Sequence, residues 1–528
     1  MYDGQRWDEV VAATDAADAS ADALFYRGLA LAHLERWPES ENAFESGRTR
    51  YPRDARFSVE LAGLAYRRKE FAPAKTLLRG ALAQEPENQY ANDLLASIYL
   101  LEGNTEAALK YWNQIGKPQL SDLIFEPRPH FKPILLDRAF LFSRGAVWKR
   151  SDFLATRAKL DALGVFPAQR FDLEPQTDGT FALDFSSAER RAWRDSRWGE
   201  ALRLARGLPY QTVLGDFPNL DDAGLNWSLL FRWDDQKRRV ASEVAAPLKD
   251  NPAWRYRIFF DARNENWNLS KTLVPAALLP AALNLEEASI GAEIESIPSG
   301  TWSWGSGPVF SYRRMRNVLN VPSAANVFFT GGSGLGYRAH VARSLIRFPE
   351  RRFTLDSKGQ AEAGSFFHRP LGRYFKAGGE LSGRWLPRAR GDDFETTVRL
   401  RAGRIFGDIP FDELYVLGFD RDTELWMRGH PGLARGQKGN APLGRGYVLV
   451  NGEFDKVIYS VPFLAFRLGP FLDTGKTYDP SPYFGSRQWM WDTGVQLKIR
   501  VLGSFEFVLG YGKDLRTGNN SFFTTVLH

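Results

Sequence analysis

Alternation between apolar and polar residues through the last two thirds of the chain limits what this sequence can fold into. Residues 394–401 and 495–501 both alternate in this way. In the second segment one strand face would carry the apolar side chains and the other the polar ones: Val495, Leu497, Ile499 and Val501 against Gln496, Lys498 and Arg500. Since successive side chains of a strand point to opposite faces, the pattern predicts strands that are apolar on one side and polar on the other.

Three segments near the C-terminus place one arginine ahead of two acids. They are residues 427–430 with Arg428 and Gly429, residues 451–454 with Glu453, and residues 471–475 with Asp473 and Gly475. A guanidinium can fork onto a carboxylate in a planar geometry that lysine does not reproduce. We interpret Arg428 as a loop residue that pairs with Asp473 and Glu453 on strands, which suggests a membrane β-barrel holding a loop in its lumen. Three unrelated solvated charges are the alternative.

Residues 195–528 read as strands and loops, with tryptophan and tyrosine near many strand ends, as membrane interfaces favour. A soluble β-sandwich or propeller with one wet face is the alternative. The richest apolar run, Leu273 to Leu285, is interrupted by Pro275 and Pro280 and is shorter than the roughly 20 residues of a spanning helix. The glycine-rich run from Gly331 to Gly336 precedes a strand and is predicted to be a turn, not a phosphate-binding loop.

Composition excludes several classes of function. The 528 residues include no cysteine, which excludes disulfides, thiolate metal sites and cysteine nucleophiles. The net charge of +6 comes from scattered basic residues, so nucleic-acid binding is not expected. The six histidines show no metal-ligand spacing and no hydrolase constellation stands out, so we expect no catalytic residue, no metal and no cofactor. The protein is not expected to be an enzyme.

Residues 1–116 carry a period of 34 residues. Gly28, Ala62 and Ala96 share one position of the repeat, and Pro52 and Pro86 end two of the units. Small residues where paired helices touch, with proline closing the second helix, are the signature of tetratricopeptide repeats in an α-solenoid. Such repeats either space other domains or bind a peptide in a groove, and the pattern leaves both interpretations open.

Residues 117–190 change to an α+β pattern. We predict a strand at Leu120 to Phe125, a helix at Lys132 to Phe142, a second helix ending at Leu163, and two strands around the turn Asp178-Gly179. This order of elements resembles a POTRA domain, the β-α-α-β-β module of outer-membrane assembly barrels.

Residues 117–528 together resemble the superfamily of POTRA-plus-barrel outer-membrane proteins that includes BamA, TamA and the two-partner-secretion transporters. The three C-terminal segments stand in that family's order, and residues 410–418 resemble the segment before its lumenal loop. His430 stands where the family has an aromatic residue, and His528 replaces a terminal aromatic. The resemblance implies one POTRA-like domain and a transmembrane antiparallel β-barrel of sixteen strands, and it says nothing about residues 1–116. Together with the helical solenoid that the 34-residue period predicts, the expected fold is of α+β multidomain class.

The resemblance also implies a function. A protein of this kind would insert or translocate unfolded outer-membrane or secreted polypeptides, acting through its lumenal loop and the seam where the first strand (about Pro209 to Phe217) meets the last (about Asn520 to Leu527). It would lie in the bacterial outer membrane, in contact with the lipid bilayer, with its N-terminal domains in the periplasm and a chaperone or accessory protein on the repeats. No signal peptide is visible at Met1, which a cytosolic protein would explain simply. The alternative is that the chain starts late, and Trp7 to Ala17 favours it, because this segment reads like the second helix of a hairpin whose first helix is missing. A barrel-anchored scaffold and a surface-lipoprotein exporter are the alternatives.

Overall fold

The computed structural model describes most of the chain, in these ranges: 6–14, 19–190, 204, 207–273, 281–368, 372–391, 393–461, 464–501 and 505–527. The chain divides into two compact units. The first unit combines Met1–Ile124, Phe142–Arg150 and Phe171–Asp184, and the second combines Phe125–Leu141, Ser151–Arg170 and Phe185–His528. The predicted boundaries 1–116, 117–190 and 195–528 stay predictions.

Helices that pack successively against one another make up most of the described part of the first unit: α1 Trp7–Ala13, α2 Ala21–His33, α3 Trp37–Arg50, α4 Ala55–Arg67, α5 Phe71–Gln84, α6 Gln89–Leu101 and α7 Thr105–Trp112. Helices α2, α4 and α6 begin 34 residues apart, as do α3, α5 and α7. The predicted helices and their period are therefore confirmed, while their assignment as tetratricopeptide repeats stays a prediction.

Small residues of the repeat lie where two helices touch. A Cβ on Gly28 would stand 2.3 Å from the ring of Phe44, and one on Gly47 would stand 2.1 Å from Phe57. Ser40 is buried between the same helices and donates its hydroxyl to the carbonyl of Gly28 at 2.8 Å. Because the rings occupy the space that a Cβ would need, these positions require the small side chains that the period places there.

The next elements follow the predicted β-α-α-β-β order: β1 Leu120–Phe125, α8 Pro133–Ala139, α9 Arg150–Leu163, β2 Ala168–Pro175 and β3 Phe181–Ala188. The three strands form one sheet in the order β1-β3-β2. This confirms the elements expected for residues 117–190. The POTRA assignment itself remains a prediction.

Long antiparallel strands make up the rest of the second unit. They are β4 Thr212–Leu220, β5 Leu225–Trp233, β6 Lys237–Leu248, β7 Asn251–Asn268, β8 Ala282–Ser299, β9 Trp302–Leu319, β10 Gly332–Phe348, β11 Phe353–Phe366, β12 Arg373–Trp385, β13 Phe394–Gly407, β14 Gly446–Val461, β15 Leu464–Tyr478, β16 Met490–Val501, β17 Phe505–Asp514 and β18 Asn520–Leu527. Each pairs with the next, and the ring closes where β18 meets β4. The predicted β-barrel is confirmed, and the junctions between consecutive long strands are antiparallel.

The number of long strands is smaller than the number of strand segments in the ring. Of the 17 strand segments in the closed order, two are the two-residue pieces Leu433–Ala434 and Gln437–Lys438, which leaves fifteen long strands in the described residues. Residues 191–203 and 205–206, immediately before β4, lie outside the described part of the chain. The expected number of sixteen strands therefore stays a prediction.

The prediction of a turn at Gly331 to Gly336 is wrong, because strand β10 begins at Gly332. A Cβ on Gly334 would stand 2.7 Å from the ring of Phe366, and one on Gly336 would stand 2.7 Å from the hydroxyl of Tyr374. The glycines of this run make room for large side chains of the neighbouring strands, so that a glycine-rich sequence here is extended.

The barrel carries an apolar outer surface. Its exposed large side chains come from nearly every strand and include Phe231, Ile258, Ile290, Phe310, Leu335, Phe375, Val398, Leu468, Val495, Leu509 and Phe522. The inward residues between them are largely charged or small. Since a water-exposed surface seldom keeps so wide an apolar area, this belt favours a lipid environment. Within the described residues, the helices lack the length and apolar character needed to cross a membrane.

One end of the barrel holds an apolar core. Its buried residues come from the loops after β7, β9 and β15 and from the long loop after β13: they include Leu269, Leu273, Phe328, Phe329, Phe411, Leu414, Leu443 and Phe484. Helix α8 lies at the other end, where Arg138 donates to the carbonyl of Lys249 at 2.8 Å in the turn between β6 and β7. The apolar core thus lies at the end of the barrel away from α8.

Opposite faces of strand β8 give a test of the membrane environment. Ile290 points outward and is 52% exposed, whereas its neighbour Ser289 lines the lumen. In lipid vesicles, Ile290→Arg should lower the free energy of unfolding by about 2–4 kcal/mol, because a cation would enter the hydrocarbon layer. Urea unfolding followed by tryptophan fluorescence measures this change.

Ser289→Arg is the matched control, since the same charge enters the polar lumen. It should lower stability much less than Ile290→Arg does. If both substitutions lowered the free energy of unfolding equally, an apolar environment around the outer face would be contradicted.

Candidate functional site: a loop clamped inside the barrel

Residues 408–445, which connect β13 to β14, form a long loop that we call the lumenal loop. Its polar side chains bind strands on different sides of the ring, namely β5 and β6, β9 and β12, and β14 to β16. A segment that reaches all of these walls lies inside the barrel. The predicted position of Arg428, on a loop held in the lumen, agrees with this course.

Arg428 is 2% exposed and binds three strands at once. Its Nε and Nη2 donate to the two carboxylate oxygens of Asp473 on β15 at 2.9 and 2.6 Å. Its Nη1 donates to Glu453 on β14 at 2.6 Å and to Gln496 on β16 at 2.9 Å. We call these four residues the tip clamp. A guanidinium makes two parallel bonds to one carboxylate here and still reaches two further acceptors, which an ammonium does not do.

The acceptors of the tip clamp are held in place by other groups. Asp473 is fully buried, and it also accepts from the backbone amide of Arg428 at 3.0 Å and from the side-chain amide of Asn451 at 2.6 Å. Glu453 accepts from Lys498 at 2.6 Å on its second oxygen. Because the buried carboxylates have several donors each, their charges are compensated and their positions are fixed.

Apolar groups surround the clamp. The ring of Phe471 lies under the Arg428 guanidinium, with 3.9 Å between the Cζ atom and the ring centroid. Met427 next to it is completely buried against Leu417 and Leu449. Such surroundings exclude water and strengthen the charge-assisted bonds of the clamp.

Two glycines of the predicted site provide space. A Cβ on Gly429 would stand 2.7 Å from the carboxylate carbon of Asp492, and the amide of Gly429 donates to that carboxylate at 2.6 Å. A Cβ on Gly475, in β15, would stand 2.9 Å from Leu417 of the lumenal loop. Both glycines let the loop approach the barrel wall closely. At Gly429 a glycine is needed because the loop lies in close contact with β16.

His430, which stands where the resemblance predicts an aromatic residue, binds two strands. Its Nδ1 lies 2.8 Å from Asp492 on β16, and its Nε2 lies 3.4 Å from Asp514 on β17. The ligand atoms of these three residues lie within 4.8 Å of one another, which is the spacing of a group that could hold a metal ion. Since both ring nitrogens already face carboxylates, the geometry is accounted for by hydrogen bonds within the group.

A second cluster holds the lumenal loop on the opposite wall, and we call it the middle cluster. Asp422 binds Arg232 on β5 at 2.8 Å and Lys237 and Arg239 on β6 at 3.1 and 3.0 Å. Asp420 also accepts from Lys237, at 3.0 Å. Three cations of the barrel wall therefore converge on two buried acids of one loop segment.

A third cluster lies where the loop enters the lumen, and we call it the entry cluster. Arg313 on β9 is fully buried and pairs with Asp412 at 3.0 Å and with Glu413. Lys376 on β12 binds Glu413 from the other side. Phe411 packs its ring against the apolar core at this end of the barrel. Entry, middle and tip of the loop are thus each bound to a different part of the ring.

The structure brings the predicted residues Arg428, Glu453 and Asp473 into direct contact and places Gly429 and Gly475 beside them. Sequence reasoning did not find the contributions of several other residues: Arg232, Arg239, Arg313, Asp422, Asp492, Gln496 and Asp514. One signal was present for part of this set. Charged residues recur on the polar faces of consecutive strands and need partners of opposite charge. The acidic residues within 412–422 are candidates for such partners.

A cavity of about 700 Å³ remains in the lumen between the loop and the wall formed by β4 to β12. Charged residues line much of it, including Asp216, Arg239, Glu243, Arg257, Asp261, Arg263, Arg338 and Glu362. Both signs alternate around the cavity. This lining is wettable and fits an aqueous interior.

Comparisons with known proteins show the fold. No family model matches the sequence, and no curated protein matches it. Among solved structures, CdiB from Escherichia coli matches with a TM-score of 0.50 at 12% identity, over 78% of this chain and 75% of that chain. CdiB from Acinetobacter baumannii matches with a TM-score of 0.46 at 12% identity, over 78% and 74%.

A structure of BamA from Haemophilus ducreyi lacking POTRA domains 1–3 matches with a TM-score of 0.43 at 12% identity, over 78% of this chain and 84% of that chain. At such identities a likeness establishes architecture, and the match to Escherichia coli CdiB is the one that does so. The chain therefore shares the fold of Escherichia coli CdiB, which is the fold that the sequence resemblance predicted.

Proposed function

We propose that this protein inserts or translocates polypeptides at the bacterial outer membrane. Its clients would be unfolded outer-membrane or secreted chains. The helical repeats and the POTRA-like part would receive them in the periplasm, where an accessory protein or chaperone binds the repeats. The barrel would act without a catalytic site or a cofactor.

The tip clamp is the observation that carries this proposal. A barrel that serves only as an anchor needs no buried arginine held by Asp473, Glu453 and Gln496 across three strands. Burying these charges costs free energy unless every partner is in place, so the arrangement specifies one position of the loop. A loop fixed in this way keeps β14 to β16 rigid while another part of the ring moves.

The apolar core at one end of the barrel favours a sideways route for the client. A chain that passed straight through the barrel would have to break the apolar core around Phe328, Phe411 and Phe484. A chain that pairs with an open strand edge leaves this core intact. We therefore propose the seam between β4 and β18 as the client's exit, which is the route of insertion into the membrane.

A scaffold is the second candidate, in which the barrel anchors the helical repeats and transports nothing. The regular stacking of α2 to α7 is the observation that favours it, since such arrays bind peptides through their surfaces. A surface-lipoprotein exporter is a third candidate, and the tip clamp argues against it. The activity of Arg428→Ala and of the protein with a cross-linked seam distinguishes a barrel that transports clients from one that only anchors the repeats.

Replacement of Arg428 tests the role of the tip clamp. Arg428→Ala leaves Asp473 buried without its main partner and should lower the free energy of unfolding of the barrel by about 3–5 kcal/mol. Insertion of a small urea-unfolded β-barrel protein into vesicles that contain the variant should fall about tenfold or more for each folded barrel. Gel mobility before and after heating gives the folded amount.

Arg435→Ala is the control, because Arg435 is an exposed arginine of the same loop. It should keep the activity of the unchanged protein. Arg428→Lys retains the charge without the fork and should recover only part of the loss. Full activity of Arg428→Ala at normal barrel abundance would refute a role for the clamp in transport.

A cross-link across the seam tests the exit route. The chain has no cysteine, so Gln211→Cys and Val526→Cys, which flank the contacting pair Tyr210 and Thr524, can be joined selectively by a bismaleimide. Insertion of the client protein should stop after this reaction. Removal of the cross-link through a cleavable linker should restore it.

The matched control joins a junction that we expect to stay closed. Ala361 on β11 lies directly opposite Ala377 on β12, and cysteines there should react without loss of insertion. A protein that still inserts clients with its seam cross-linked does not release them sideways, and the scaffold interpretation or a route through the lumen would then replace this proposal.

A further inference from the structure

The seam differs in direction from the other junctions of the barrel. Fourteen successive antiparallel steps join β4 to β18 through the hairpins, so β4 and β18, which are neighbours in the closed ring, run in the same direction. Among the long strands described, this is the one parallel junction. Parallel pairing is somewhat less stable for each residue than antiparallel pairing, which marks the seam as a weak place in the ring.

An arginine of the lumenal loop lies at this weak place. The Nε of Arg421 donates to the backbone carbonyl of Thr524 on β18 at 3.1 Å, and its Nη2 donates to the hydroxyl of Thr524 at 3.3 Å. The guanidinium also lies over the ring of Tyr210, two residues before β4, with 3.0 Å from Cζ to the ring centroid. The hydroxyl of Tyr210 contacts the hydroxyl of Thr524. One side chain thus touches both sides of the seam.

The segment that carries Arg421 cannot easily follow a moving strand. Its neighbours Asp420 and Asp422 belong to the middle cluster and are bound to Arg232 and Lys237 on β5 and β6. These strands lie on the β4 side of the seam. Arg421 therefore extends from a fixed support and reaches across the gap to the last strand.

We propose that Arg421 is a positioning residue that keeps the seam closed and that a client strand displaces. This proposal rests on the proposed function, in which the seam is the exit. A backbone carbonyl of the terminal strand is one of the groups through which an incoming strand would pair, and Arg421 occupies such a carbonyl at Thr524 until a client arrives. Its planar donors serve the carbonyl and the hydroxyl together, while its face stacks on Tyr210.

The loop thereby combines a permanent attachment with a releasable one. The tip clamp and the middle cluster are buried and rich in opposite charges, whereas Arg421 is exposed and binds neutral acceptors and a ring. Neutral acceptors give weaker bonds than carboxylates do, so a competing strand can replace them. This difference assigns release to Arg421 and support to the other two groups.

Spin labels on the outer surface measure the state of the seam in the whole protein. Phe231 on β5 and Phe522 on β18 are both exposed and flank the seam with β4 between them. Phe231→Cys and Phe522→Cys in this cysteine-free chain allow double electron–electron resonance in lipid vesicles. Arg421→Ala should raise the ratio of long-distance to short-distance populations about tenfold, since a cation–π contact and two hydrogen bonds are lost.

Two controls separate the seam from general loosening of the barrel. Labels at Leu335 on β10 and Phe375 on β12, which are also exposed and have β11 between them, should report no change in Arg421→Ala. Arg435→Ala should leave the seam distances unchanged. Tyr210→Phe, which removes the hydroxyl and keeps the ring, should raise the long-distance population less than Arg421→Ala.

The outcomes divide clearly. Unchanged seam distances in Arg421→Ala, or an equal shift in Arg435→Ala, would overturn the proposal. If Arg421→Ala folds too poorly to label, Arg421→Lys, which keeps the charge but loses the planar donors, gives the same test with a smaller shift. A seam that opens in Arg421→Ala although the protein inserts no client would support the role of Arg421 and refute the proposed function instead.

Discussion

A guanidinium removed from water is the interaction on which the interior of this barrel depends. Arg428 would be costly to bury alone, and Asp473 would be equally costly without it. Together they form a fork that Glu453 and Gln496 complete, so that Nε, Nη1 and Nη2 all donate. Removing the loop from the lumen would break every one of these bonds at once. The position of the loop is therefore determined by electrostatics more than by the shape of its backbone.

The other two clusters extend this constraint around the ring. The entry cluster binds β9 and β12, and the middle cluster binds β5 and β6. The loop connects distant parts of the barrel wall from the inside and so acts as a brace. The hydrogen bonds of the sheet, in contrast, connect each strand only to its neighbours around the ring. In such a construction the strands without a brace are the ones that can separate. The seam lies between two braced regions and is held by Arg421 at its edge.

Much of the barrel could be predicted from local pattern, because a strand's faces follow from alternation alone. Val495 lies on the exposed outer face of β16, as the alternation of residues 495–501 predicts. The first strand was predicted at Pro209 to Phe217 and begins instead at Thr212, since Leu208–Tyr210 forms a short 3-10 helix that precedes it. Residues close in sequence decide such features, except where a local turn competes with the strand.

The partners of the loop could not be predicted in the same way. Asp492 and Asp514 reach His430 only because β16 and β17 pair in one register and because the loop descends to their level. The residues next to Asp492 and Asp514 in the sequence predict neither this register nor the path of the loop. The motif order identified Arg428, Glu453 and Asp473, since these types are unusual together. Common residues such as Asp422 and Arg239 gave no comparable signal, and their role depends on the path of a chain that crosses the lumen.

A weak seam is compatible with a stable barrel because stability and opening are assigned to different contacts. The antiparallel ladders carry most of the hydrogen bonds, and the buried charge clusters fix the loop. Loss of a few contacts at the parallel junction changes the free energy by an amount that a client strand can replace by pairing with the same edge. In the proposed function, opening would exchange one set of backbone partners for another, and the buried Arg428 would keep the remainder of the ring in place during this exchange.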